Sequence, residues 1–143
     1  MTIATVAVWT ALALAQAPAS TGSTLPPEVK KAFDRAYPRA TISATAPQRE
    51  GTRTLFRIDS IDGGRRRVVL YDAKGAVVEV ADQVDERDLP GPVLAAIRSH
   101  RRAIYVSGMK VTRGRNVEYR ITVKGSRRTA MVAKPDGTVI SFE

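Results

Sequence analysis

Leu25-Pro-Pro-Glu-Val29 returns as Leu89-Pro-Gly-Pro-Val93, and Lys74-Gly-Ala-Val-Val-Glu-Val80 returns as Asp136-Gly-Thr-Val-Ile-Ser-Phe142. Between these two pairs the matches keep their order. Phe33 falls with Ile97, Arg39-Ala40 with Arg102-Ala103, Leu55-Phe-Arg-Ile58 with Glu118-Tyr-Arg-Ile121, and Arg66-Arg67 with Arg127-Arg128. Ordered self-similarity over a whole chain is the mark of a duplicated unit, which has to be recognised before any single element is read.

Each copy opens with a helix, because proline just inside a helix start is already set for the first turn. In the first copy Val29, Ala32, Phe33, Ala36 and Tyr37 recur at three and four residues and form one apolar stripe, which Pro38 ends. In the second, Val93, Ala96 and Ile97 repeat the stripe while Arg98, Arg101 and Arg102 take the outer side. Strands follow. Residues 41–46 and 104–112 are rich in Thr, Ile and Val, and residues 53–61 and 117–123 alternate. Phe56 and Ile58, like Tyr119 and Ile121, point one way; Leu55, Arg57 and Asp59, like Glu118, Arg120 and Thr122, point the other. A third strand follows Gly63-Gly64 and Gly125, and a fourth follows Lys74-Gly75 and Asp136-Gly137, glycines that suit tight turns. The expected fold is α+β: two tandem repeats, each one helix packed on a four-stranded antiparallel meander sheet. The repeats span residues 25–81 and 89–143, joined by an acidic connector at 82–88. One helix covers one sheet face, so the other is solvated, shared between copies or used for binding.

Residues 1–19 carry no charged side chain and hold the run Ile3-Ala-Thr-Val-Ala-Val-Trp-Thr-Ala-Leu-Ala-Leu-Ala15. That run falls short of the ~20 residues that span a bilayer. Ala17-Pro-Ala19 then sets alanine at both cleavage-pocket positions before Ser20. The segment reads as a signal peptide, although a basic start is missing, and residues 20–24 as a linker. The expected location is periplasmic or secreted, with no transmembrane span in the mature chain. The 143 residues include no cysteine, which excludes disulfides, thiolate metal sites and cysteine nucleophiles.

The charge is uneven. Residues 25–81 hold 11 basic and 7 acidic side chains (net +4), residues 82–88 one and 4 (net −3), and residues 89–143 11 and 3 (net +8). The excess gathers in the second copy, at a basic rim of Arg98, Arg101, Arg102, Arg113, Arg115, Arg127 and Arg128. Such a field steers acidic proteins, anionic envelope surfaces or nucleic acid. Nucleic acid is disfavoured, since export removes the chain from most of it and the sequence has no aromatic-basic platform.

The run Leu25-Pro-Pro-Glu-Val-Lys-Lys-Ala-Phe-Asp-Arg-Ala-Tyr-Pro38, the alternating strands and Tyr71-Asp-Ala-Lys-Gly-Ala-Val-Val-Glu-Val80 together resemble a PepSY-like module. More narrowly, the chain is similar to the β-lactamase-inhibitor-like PepSY-like proteins, often built of two copies, and the likeness runs from Leu25 to Glu143. The second copy departs, with Ala133-Lys-Pro-Asp-Gly137 for Asp72-Ala-Lys-Gly75 and Ser99-His-Arg-Arg102 for the Ala-Tyr-Pro helix end. The resemblance implies an exported binding or inhibitory module without shared catalytic residues.

Catalytic candidates are few. His100 is the one histidine, and Ser99 beside it on a helix points elsewhere, so the pair is no nucleophile and base. Asp59 and Asp62 before Gly63-Gly64 lack the further oxygen ligands and terminal Glu of a calcium loop. No phosphate-cradling glycine loop precedes a helix. The sequence therefore calls for no enzyme, cofactor or metal, with a hydrolase kept as the remotest alternative. It points to a protein or peptide partner, acidic by the charge argument, with a charge-driven polyanion or envelope-surface binder as the alternative. Contacts are expected on the outward strand face and its aromatic neighbours: Leu55, Arg57, Tyr71, Tyr105, Glu118 and Arg120.

Overall fold

The computed structural model describes residues 24–100 and 103–142. The leader reading at 1–19, residues 20–23 of the linker, Arg101, Arg102 and Glu143 lie outside them. The chain runs α1 (Pro27–Ala36), β1 (Thr41–Glu50), β2 (Arg53–Asp62), β3 (Arg65–Tyr71), β4 (Val77–Val84), a 3₁₀ turn (Glu86–Asp88), α2 (Gly91–Ser99), β5 (Ile104–Arg113), β6 (Asn116–Lys124), β7 (Arg128–Ala133) and β8 (Val139–Phe142). This is the α+β order read from the sequence. The eight strands form one antiparallel sheet in chain order, β4 pairing β5 from Val80↔Thr112 to Val84↔Gly108. Asp82 and Val84 of the expected connector thus lie inside β4.

Both helices lie on the same face. Val29 and Phe33 of α1 close a core with Ile58, Val69 and Tyr71, while Ala36, expected in the stripe, is exposed. Val93 and Ile97 of α2 close a second core with Tyr119, Ile121, Val123 and Met131. The alternation assigned to β2 and β6 holds: Ile58 and Ile121 face the helices. Each fully buried aliphatic side chain stabilises the fold by about 1.5–3 kcal/mol relative to exposure.

The two halves share their irregularities. The β1–β2 register shifts between Ile42 and Ala44, and the β5–β6 register between Tyr105 and Ser107. The β3–β4 ladder slips between Leu70 and Tyr71, and the β7–β8 ladder between Val132 and Ala133. The turns into β4 and β8 are also alike. Gly75 donates its N–H to the Asp72 carbonyl at 3.1 Å, and Gly137 to the Lys134 carbonyl at 2.9 Å. Both glycines have positive φ (82° and 87°), and each lies beneath a helix start. A Cβ on Gly75 would meet the Glu28 carbonyl oxygen at 2.7 Å, and one on Gly137 the Pro92 carbonyl oxygen at 2.6 Å. Lys134 therefore occupies the place of Asp72, and the departure noted in the sequence changes a side chain without changing the turn.

Candidate functional site

The face away from the helices carries Leu55, Arg57 and Asp59 of β2, Leu70 of β3, Glu79 of β4, Val111 and Arg113 of β5, Glu118 and Arg120 of β6, and Ala130 and Val132 of β7. Over β2, β3 and β5 this face is closed. Leu55, Val111 and Leu70 are 0%, 2% and 6% exposed, although no helix lies above them. Charged side chains cover them instead. Arg113 reaches back 63 positions to pair with Glu50 of β1 and also meets Glu79 of β4 at 3.4 Å. Arg120 meets Glu79 at 3.9 Å and Glu118 at 2.7 Å. An ion pair between strands one and five requires the sheet to curl, so that this face is concave.

Arg57 grips Asp59 with two hydrogen bonds, Nε to Oδ2 at 2.7 Å and a terminal nitrogen to Oδ1 at 3.0 Å, and Arg66 reaches the same carboxylate at 2.6 Å. Burial alone would raise the Asp59 pKa, but the hydrogen bonds from Arg57 and Arg66 hold it below the usual carboxylate range. Asp59 is thus committed to two guanidinium groups. Among the described residues, no group of three or more His, Asp or Glu side chains is arranged to hold a metal.

The structure divides the expected contact residues. Leu55 is buried under the ion pairs, and Tyr71 is buried in the first core, facing α1, because its position in β3 shares the side of Val69. Both are withdrawn from any contact surface. Tyr105 packs on the second core, its ring beside Gly108 and its hydroxyl donating to the Val84 carbonyl, so it fastens β5 rather than presenting a ring to solvent. Arg57 is half-buried against Asp59. Glu118 and Arg120 remain at the surface, hydrogen-bonded to each other through Nε at 2.8 Å. His100 caps the end of α2 and stacks on Phe142 with ring centroids 3.9 Å apart.

The basic rim divides as well. Arg113 is neutralised by Glu50 and Glu79, whereas Arg98, Arg115, Arg127 and Arg128 have no ion pair among the described residues. In the first half the acidic connector does the neutralising. Arg65 hydrogen-bonds Asp85 at 2.9 Å and Asp88 at 3.1 Å, and Arg67 hydrogen-bonds Asp82 at 2.5 Å. Arg67 also sits over the Tyr37 ring, 4.4 Å from its centroid. These pairings escape sequence inspection, which shows the connector's charge but not the arginines it meets.

No protein-family model matches the chain, and no curated protein matches it. Solved structures do. A candidate periplasmic protein from Bacteroides eggerthii superposes with a TM-score of 0.69 at 16% identity, covering 85% of this chain and 89% of that one. A BLIP-like protein from Bacteroides fragilis gives 0.64 at 20% identity, covering 86% and 89%. A DUF2874 family protein from Bacteroides uniformis gives 0.67 at 16%, covering 82% and 88%. The fold is BLIP-like. At these identities the BLIP-like likeness concerns the arrangement of helices and strands, and it carries no residue from one chain to another. Among the described residues of this BLIP-like fold, no helix is long and apolar enough to cross a membrane.

Proposed function

We propose that this chain is an exported, non-catalytic binding protein, a duplicated PepSY-like module of the β-lactamase-inhibitor-like kind. It docks a protein or peptide partner on the sheet face opposite its helices. The observation that carries the reading is the contrast along that face. Ion pairs close it over Leu55, Leu70 and Val111 of β2, β3 and β5, while Ala130 of β7 stands exposed with no element over it among the described residues. An uncovered sheet face with half-buried apolar side chains, here Met109 and Val132, beside an arginine has the composition of an interface centre. The apolar leader at 1–19 and the candidate periplasmic description of the Bacteroides eggerthii neighbour support export. The BLIP-like description of the Bacteroides fragilis protein supports binding over catalysis. Paired register shifts and paired glycine turns support duplication, with residues 25–81 and 89–143 as the units.

The test is crosslinking and affinity capture from the native envelope at physiological salt, with crosslinked positions mapped. Wild type should retain a defined protein through crosslinks on β5–β7. Ala130→Arg should lower retention at least tenfold while leaving the thermal midpoint close to wild type, because the position is exposed. Undiminished capture by that variant removes the reading. The charge-driven alternative rests on the unpaired arginines of the second half, and a steep loss of retention between low and physiological salt would favour it.

A further inference from the structure

The strand pairs fix which arginines of the two halves correspond. Ile58 pairs Val69 and Ile121 pairs Met131; three residues further along β2 and β6, Ile61 pairs Arg66 and Lys124 pairs Arg128. Arg128 therefore stands where Arg66 stands, and Arg127 where Arg65 stands. The sequence match of Arg66-Arg67 with Arg127-Arg128 is displaced by one residue: the pair Ile61↔Arg66 encloses four residues and its counterpart Lys124↔Arg128 three. Arg65 is the side chain that holds Asp85 and Asp88. Its counterpart Arg127 holds no carboxylate among the described residues, and neither does Arg128.

Among the described residues, the surroundings of Arg127 offer it none. The described residues after Asp88 include two carboxylates, Glu118 and Asp136. Glu118 lies near the start of β6 and Asp136 in the turn before β8, both at the end of the sheet away from the β6–β7 connection. The near end carries Lys124, Arg127 and Arg128, and α2 terminates there with Arg98 in its last turn. A cleft of about 180 Å³ opens at this end, lined by His100, Ser126, Arg127, Thr129 and Phe142. It is smaller than the roughly 300–1,000 Å³ of small-molecule sites and has room for one side chain. Its wall is the stacked His100–Phe142 pair, and its polar groups are two hydroxyls and a guanidinium.

We propose that the β6–β7 end of the sheet is a docking site for an extended acidic segment of a partner protein, whose carboxylates meet Arg127 and Arg128 as Asp85 and Asp88 meet Arg65 in the first half. The fold supplies its own template for this occupant. An arginine at the start of β3 takes two carboxylates three residues apart in the first half, and its counterpart Arg127, just before β7, meets no carboxylate among the described residues. Charge complementarity favours carboxylates, and guanidinium groups bind them with charge-assisted hydrogen bonds. The cleft at Arg127 lies on the helix side of the sheet, while Arg128 continues the row of Ala130 and Val132, so this site borders the concave face proposed above and is told apart from it by the acidic peptide probe.

The probe is a capped peptide of this chain's own residues 82–89, Asp-Gln-Val-Asp-Glu-Arg-Asp-Leu, titrated into the isotopically labelled full chain and followed by amide NMR. Binding should shift Gly125, Ser126 and Thr129. It should weaken at least tenfold in Arg127→Glu/Arg128→Glu and for a peptide with Asn and Gln in place of Asp and Glu. Shifts confined to the Arg65 end, equal binding of the amide peptide, or full retention in the double variant would overturn the proposal. So would selective occupation of the same amides by inorganic phosphate, an oligonucleotide or anionic vesicles under conditions where the peptide fails.

Discussion

The Tyr71 hydroxyl is buried in the first core with no hydrogen-bond partner among the described residues. Burial pushes its pKa up to about 12, since the phenolate would lose its water, with Tyr37 adding to the rise and Arg67 opposing it. An unpartnered buried hydroxyl costs about 1–3 kcal/mol. Tyr71→Phe should therefore raise stability by about 1 kcal/mol, read as a higher midpoint in urea. The sign of the pH effect follows from the direction of the shift. The folded-state pKa lies above the unfolded value near 10, so the contribution of Tyr71 is intact below pH 10 and declines as pH rises toward 12. The alkaline loss of stability should be shallower in Tyr71→Phe than in wild type, and equal slopes would count against this account. Asp59 works in the opposite sense. Its lowered pKa gives stability above the ordinary carboxylate range that fades as the group is protonated in acid, and Asp59→Asn should flatten the acid limb of the stability curve.

Each helix is seated by the turn that lies under its first residues. At Gly75 and Gly137 two requirements coincide: a positive φ that side chains rarely adopt, and a helix carbonyl close enough to exclude a Cβ. Gly75→Ala and Gly137→Ala should each destabilise by about 1–3 kcal/mol from backbone strain, with further loss from the displaced helix. Gly63→Ala has the same backbone demand but open space around it, so its loss should be smaller. Thermal unfolding of the three variants, compared with Gly91→Ala in α2 as a control without positive φ, separates the two effects. Equal losses at Gly63 and Gly75 would mean that the helix contact contributes nothing.

Across the whole molecule the halves are joined by the β4–β5 ladder, by the ion pairs of Arg113 with Glu50 and Glu79 and of Arg120 with Glu79 over the concave face, and by the Tyr105 hydroxyl on the Val84 carbonyl. A half of fewer than about 70 residues buries too small a fraction of its surface to be robust alone. The full chain should therefore unfold in one cooperative transition, with calorimetric and van't Hoff enthalpies in agreement. Two resolved transitions would show that each half is stable without the other. The ion pairs also redistribute charge. Arg57, Arg113 and Arg120 are compensated, so among the described residues the excess of the second half rests on Arg98, Lys110, Arg115, Lys124, Arg127, Arg128 and Lys134.

Local chemistry alone determined the two helices, the hairpin turns, the alternation that sends Ile58 and Ile121 to the helices, and the helix-end place of His100. Each depends on residues within a few positions of one another, so periodicity and turn glycines display it directly. The tertiary structure alone decided that the two sheets are one, that Leu55 and Tyr71 are buried, and which arginines keep an uncompensated charge. Those outcomes depend on groups brought together from distant positions, Glu50 onto Arg113 across the curl and Asp85 onto Arg65 across the connector. A side chain's neighbours across a curved sheet leave no periodic trace in the sequence.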